Sequence, residues 1–187
     1  MTKLLFNAAF GFYAVGLFHS VVAFVSKRDL FYKVATASVG VGFALHSLFI
    51  IYSGIEGSHF PLTDLKESLA FFAWTVSLCF LISYFRYRIN PLGIFLLPLV
   101  TVLMLGTVLI KSSPAPTVLF SSWIYLHTTC LFLAYGMFFV TFIASFLYLL
   151  QERELKSKKP KILYNFLPSL LQLDDLFLKF LISGFSL

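Results

Sequence analysis

Apolar positions along this chain neither recur as one face of a helix nor alternate as in a half-buried strand. They run on uninterrupted. Five stretches, 4–25, 34–52, 69–85, 91–110 and 123–150, are apolar almost throughout. A hydrocarbon layer about 30 Å thick takes about 20 residues of helix to cross, at a rise of 1.5 Å each. The pattern therefore predicts five transmembrane helices, the fifth long enough to tilt or project. The first is no cleavable signal peptide, because its apolar core is too long and further spans follow. A sixth run, 176–187, is too short to cross by itself. On that ground we read the chain as the amino-terminal part, or a truncated product, of something longer.

Local signals refine the elements. Gly57 and Pro61 mark turns, and Thr63 or Asp64 can cap the third helix with Glu67 in its first turn. Asn90 followed by Pro91 reads as an N-cap with proline at the first helical position. Pro98 removes one backbone hydrogen bond and should bend the fourth span. Ser169 stands three residues before Gln172, a capping-box spacing. It predicts a short interfacial helix over 167–176 that feeds the sixth run. No internal repeat is evident.

Composition agrees with lipid as the solvent. The chain is 59% hydrophobic and 12% charged, with a mean hydropathy of +0.92. A soluble domain carries about 25% charge. The 24 Phe residues also exclude a disordered chain. The fold class expected is an all-α polytopic membrane protein: one membrane-embedded domain over 1–187, with five transmembrane helices, an interfacial helix and the start of a sixth span.

Net charge is +6. Nucleic acid is not the partner this implies, since no basic run lies on an element that could enter a groove. The basic residues flank spans instead. Lys27, Arg28, Lys33, Arg86, Arg88, Arg153, Lys156, Lys158, Lys159 and Lys161 fall on one side, and Lys3, Lys66 and Lys111 on the other. The positive-inside rule puts the first group in the cytoplasm and the amino terminus outside.

Candidate chemistry rests on few residues. Cys79 and Cys130 lie inside apolar runs and form no CxxC, which leaves disulfide, zinc and thiol-redox readings unsupported. Ala35, Gly42, His46 and Ser53 share one small, slightly polar stripe of the second helix. Such stripes pack against neighbouring helices, so His46 should face the bundle, either as a packing residue or as a ligand or proton relay. His19, on a face with Val15, Gly16 and Ala23, has no side-chain partner there and reads as structural. In the exterior segment 53–74, Glu56, His59, Asp64 and Glu67 match no standard metal spacing.

His127 differs. It lies about one turn inside the outer end of the fifth span, on a narrow stripe with Trp123, Ala134, Thr141 and Ser145 that is expected to point inward. Trp123 and Tyr125 can belong to an interfacial aromatic belt. A neutral imidazole at a water-facing mouth, with an indole one turn away, is also what a planar metal macrocycle such as haem would use. No Walker loop, nucleophile elbow or HExxH is present.

Several ordered segments carry a resemblance: FPLTDLKESLAFFAW (60–74), NPLGIFLLPL (90–99), SSWIYLHTTCLFLAYGMFF (121–139) and FLPSLLQLDDLFLKFLISGF (166–185). Together they resemble the CcsA/ResC cytochrome c assembly proteins, with weaker similarity to HemX-type membrane proteins. The resemblance implies handling of haem b, held transiently for transfer, at the outer face of a bacterial plasma membrane, or of a thylakoid membrane. It implies a place in a cytochrome c synthase (haem lyase) complex with a CcsB/ResB-type subunit, acting on apocytochrome c with a CxxCH motif. By the same resemblance His127 maps onto an external axial haem ligand, Trp123 lies beside it, and His46 corresponds weakly to a membrane-embedded histidine. The tryptophan-rich WWD segment and second external histidine of that family do not occur within 1–187. Two other readings are a HemX-like regulator of haem biosynthesis and a small-molecule transporter. The transporter predicts an internal repeat and broken helices, of which Pro98 is the only hint.

Overall fold

The structure is a computed structural model that describes residues 1–87, 89–111, 122–156 and 167–187. Its regular elements are all helical among the described residues: α1 (Thr2–Ser26), α2 (Asp29–Gly57), α3 (Leu65–Tyr87), α4 (Gly93–Leu109), α5 (Ser122–Lys156) and α6 (Leu170–Ser186). Four of them, α1, α2, α3 and α5, are long and apolar enough to cross a membrane, and α4 is a shorter apolar helix of 17 residues. At 1.5 Å per residue α4 is about 26 Å long. Apolar side chains such as Phe18, Leu48, Ile51, Phe142 and Leu149 point away from the bundle, the arrangement of a protein whose solvent is lipid.

One end of the bundle carries Met1, the α2–α3 connection and the end of α4. The other, the basic end, carries Lys27, Arg28, Arg86 and Lys156. Arg88, Lys158, Lys159 and Lys161 lie outside the described residues. At the basic end α1 stops where Lys27 enters the left-handed region (φ 56°) and its N–H bonds Ala23 O. With only Lys27 and Arg28 between the helices, α1 and α2 form a tight antiparallel hairpin. Phe6, Ala9, Tyr13, Gly16, Ser20 and Ala23 are buried at three-to-four-residue spacing. Glycines permit the close approach. A Cβ on Gly16 would lie 2.7 Å from Val39 Cγ2, and one on Gly42 would lie 3.2 Å from the Tyr13 ring.

Helix α3 is the hub. It packs against α2, α4 and α5, and it buries the largest share of its span. Helix α1 also leans on α4, where a Cβ on Gly93 would come within 2.7 Å of Ser20 Oγ. Helix α6 lies along α5 and seats Gly184 against the Phe138 ring.

Three local expectations can be compared directly. Asp64 caps α3 by accepting from Glu67 N–H at 2.8 Å, and Glu67 Oε2 accepts from Thr63 N–H, also at 2.8 Å. Asn90 is not an N-cap. A 3-10 turn over Asn90–Leu92 starts from Ile89 and runs directly into α4, because Pro91 fits the first turn of either helix type. Finally, the interfacial helix and the sixth run are one continuous α6. No Gly or Pro interrupts 170–183, and Lys179 pairs with Asp175 at i,i+4 while lying 5.5 Å over the Tyr87 ring. The capping box does form: Ser169 Oγ accepts from Gln172 N–H, and Gln172 Oε1 accepts from Ser169 N–H. Replacing Ser169→Ala should cost about 1 kcal/mol, read as a lower midpoint of unfolding in mixed micelles. An unchanged midpoint would mean that α6 is held by its packing on α5 alone.

Candidate functional site

Two histidines of opposite character stand out. His46 is fully buried on α2, in line with Ala35, Val39 and Gly42, as the small-residue stripe predicts. Its Nδ1 shares a hydrogen bond of 3.2 Å with the Tyr13 hydroxyl of α1, and their rings meet edge to face. Its Nε2 has no partner among the described residues. A neutral ring that accepts from Tyr13 at Nδ1 carries its proton on Nε2, so one buried donor goes unused. The ring is fully buried, with the rings of Tyr13 and Phe49 against it. Tyr13 was not singled out from the sequence. The available signal was its place on the Ala9–Tyr13–Gly16–Ser20 stripe opposite His46. Tyr13→Phe should cost about 1–3 kcal/mol by leaving the imidazole wholly unsatisfied, whereas Tyr13→Phe with His46→Phe should cost less than the single change. Equal losses in the two chains, compared by chemical unfolding, would contradict the pairing.

His19 bonds the Val15 carbonyl one turn back at 2.8 Å, with Phe18 and Phe31 around it, which is a local structural role. His59 is likewise engaged. Its Nδ1 lies 3.1 Å from the Phe60 carbonyl and its Nε2 lies 3.7 Å from Glu67 Oε1, tying the α2–α3 connection to the first turn of α3. Trp74 donates to Ser47 Oγ at 2.8 Å and stacks on Phe43, so it belongs to the packing between α2 and α3.

His127 is exposed, and so is Trp123 one turn before it, with 76% of its surface accessible. The expected inward stripe is therefore only half right: Ala134 and Thr141 are buried, but Trp123 and His127 are not. The reason lies in how α5 is held. Its other face carries Tyr125 against Phe60 and Phe132 against Phe71 and Phe72, and Gly136 sits close to Thr75 and Cys79. At 100° per residue, His127 is about 200° from Tyr125 and within about 20° of Phe138. Helix α6 covers that face at Phe138, where Phe185 meets the ring at 5.1 Å. His127 stands three turns, about 17 Å, nearer the Met1 end. Among the described residues nothing hydrogen-bonds its ring.

An imidazole that is accessible, unbonded and flanked by an indole is a competent ligand for a metal macrocycle. By contrast, the imidazoles of His19, His46 and His59 are each already committed to a hydrogen bond. One such ligand would make half of a haem site.

Comparison with known proteins bears on what the site is for. The profile of the family described as "Cytochrome C assembly protein" matches residues 62–187, from just before α3 to the end of α6. The chain belongs to the cytochrome c assembly family. That match includes His127, Trp123 and the Asp64–Glu67 cap, whereas His19, His46 and His59 precede it. Protein HemX of Brevibacillus brevis is 29% identical over 167 residues, covering 87% of this chain and 61% of that protein. Cytochrome c biogenesis protein CcsA of Gloeobacter violaceus is 28% identical over 167 residues, covering 85% of this chain and 48% of its own length. The CcsA of Helianthus annuus is 36% identical over 93 residues, 46% of this chain and 27% of that protein. The chain thus spans between about a quarter and three-fifths of these relatives. No solved structure matches.

Membership assigns this chain to cytochrome c biogenesis, and its apolar helices make it a multi-pass membrane protein. The family also fits the cofactor class expected from the sequence, since cytochrome c carries haem.

Proposed function

We propose that this chain handles haem at the outer face of the membrane, with His127 as one external axial ligand and Trp123 flanking the macrocycle. The observation that carries the reading is the exposed imidazole of His127 on α5, one turn from Trp123 and without a hydrogen-bond partner among the described residues. The amino terminus is outside and the Arg/Lys-rich loops are cytoplasmic, so His127, near the Met1 end, faces the exterior. The membrane is the bacterial plasma membrane, with the thylakoid membrane as its counterpart. Haem b is cargo here, awaiting attachment to the CxxCH cysteines of an apocytochrome. A CcsB/ResB-type subunit and a second imidazole from outside 1–187 would complete the complex. His46, enclosed as it is, is a weaker candidate and would need helix movement to reach iron.

The test is the absorption spectrum of the full-length gene product purified with its haem. His127→Ala should lose most of the haem, and His127→Cys should retain some with a shifted Soret band as thiolate replaces nitrogen. His59→Ala should leave occupancy unchanged. Wild-type occupancy in His127→Ala would overturn the assignment.

The HemX similarity, spanning 87% of the chain, favours a second reading: a membrane protein that modulates haem biosynthesis without forming thioether bonds. Deleting the gene separates them. Loss of covalent cytochrome c with normal haem synthesis supports the first reading, and altered haem-precursor levels with normal cytochrome c support the second.

A further inference from the structure

At the Met1 end, the tips of α1, α2, α3 and α4 line a half-open cleft of about 370 Å³, within the size range of small-ligand sites. Its apolar wall is Phe6, Phe49, Ile50 and Ala70. Phe6 and Phe49 meet edge to face at 5.2 Å, and Phe49 separates the cavity from the His46 ring, 5.9 Å beyond. The polar rim is asymmetric. Its two carboxylates are turned to local partners: Glu56 Oε2 accepts from Thr2 Oγ1 at 3.1 Å, and Glu67 is taken by Thr63 and His59. Lys3, Asn7 and Ser53 also line the cavity, and their side chains bond to nothing else among the described residues. Lys66 lines the cavity too and is engaged, so the side-chain groups left open are the Lys3 ammonium, the Asn7 amide and the Ser53 hydroxyl, above an aromatic and aliphatic floor.

We propose that this cavity binds an acid-headed amphiphile. Its carboxylate or phosphate accepts from Lys3, Asn7 and Ser53, and its apolar chain lies against Phe6, Phe49 and Ile50. A charge-assisted hydrogen bond orients the head, and burial of the chain supplies most of the affinity. A neutral amphiphile would forgo the charge-assisted hydrogen bond from Lys3, and a fully polar anion would waste the apolar wall. A free fatty acid and the phosphate head of a lipid share this chemistry. The site is separate from His127 and does not depend on the haem reading.

The experiment uses the full chain in dodecyl maltoside micelles, which carry no acid group, with a diazirine-bearing palmitic acid as photoprobe, and maps the adducts by peptide mass spectrometry. Adducts are expected on the segments around Lys3–Asn7 and Phe49–Ser53. Lys3→Glu should lower them about tenfold, the ratio that corresponds to losing one charge-assisted hydrogen bond, and Ile50→Trp should lower them by filling the space. Unlabelled oleate and dioleoyl phosphatidic acid serve as separate competitors. Competition by either supports the site and identifies the source, and competition by both supports the shared acid head. Equal labelling in Lys3→Glu, equal competition by methyl oleate, or competition by neither acid would overturn it. Should Ile50→Trp fail to fold, the exposed Lys3→Glu change, which disturbs no packing, decides alone.

Discussion

Cells relying on a His127→Ala chain should mature CxxCH cytochromes at a few per cent of the normal level or less, with the protein still present in the membrane. The side chain is exposed and bonds no neighbour among the described residues, so its removal should leave the helix bundle intact. Surface substitutions of that kind typically shift stability by about 0.5 kcal/mol or less. Loss of an axial ligand acts instead on the haem complex, and losses of 10–100-fold are typical even for residues that merely orient a ligand. The decisive variant is His127→Gly with added imidazole, because a free ring can enter the space left at an exposed site. Haem-stained covalent cytochrome c should return partly with imidazole and remain absent without it. Normal maturation in His127→Ala, or loss of the protein from the membrane together with maturation, would sink the ligand role.

The second large effect is structural. Gly16→Leu should destabilise the bundle by about 3 kcal/mol or more, at the top of the range for overpacking. Its Cβ would stand 2.7 Å from Val39 Cγ2 and 3.3 Å from the Ala35 carbonyl oxygen, and the second of these is backbone that cannot swing aside. Adding Val39→Ala should restore part of the loss by removing the side-chain clash while leaving the backbone one, so the pair should be clearly non-additive. Gly11→Leu is the control. Nothing lies within 4 Å of a Cβ there, and the change should cost well under 1 kcal/mol. Unfolding in mixed micelles, followed by helical circular dichroism, measures the parent chain, Gly16→Leu, Val39→Ala, their combination and Gly11→Leu. Equal midpoints for Gly16→Leu and Gly11→Leu would show that the hairpin is not packed through its glycines.

His46 and His127 differ in how well residue spacing foretold their surroundings. The stripe through Gly42 and His46 correctly placed an imidazole in the bundle, because small residues among bulky ones signal close helix contact. The same logic applied to Trp123, His127, Ala134 and Thr141 succeeded for the lower two and failed for the upper two. A stripe reports which face could pack, not which neighbour meets it at each level of the helix. The buried face of upper α5 is instead aromatic, Tyr125 and Phe132 on Phe60, Phe71 and Phe72. In a chain with 24 Phe, aromatic residues fall on every face, and spacing alone cannot separate lipid-facing rings from packed ones.

Capping was legible because it is local. The side chain of Ser169 and the N–H it accepts from are three residues apart, and Asp64 and Glu67 repeat that spacing. The Tyr13–His46 bond joins residues 33 apart, and the cavity at the Met1 end draws on four helices. Those contacts exist only after the helices have chosen partners.

The amino-acid sequence by itself determined that the protein is helical and lives in lipid, since an unpaired backbone in hydrocarbon is too costly for these apolar runs to do anything but form helices. It also carried the family's order of motifs. Tertiary structure alone decided that α3 is the hub, that His46 is enclosed while His127 is open, and that Lys3, Asn7 and Ser53 converge on one cavity. The hydrophobic effect drives chains into the membrane but distinguishes little between one apolar face and another once there. Packing shape therefore settles the neighbours, and shape is a property of the assembled helices.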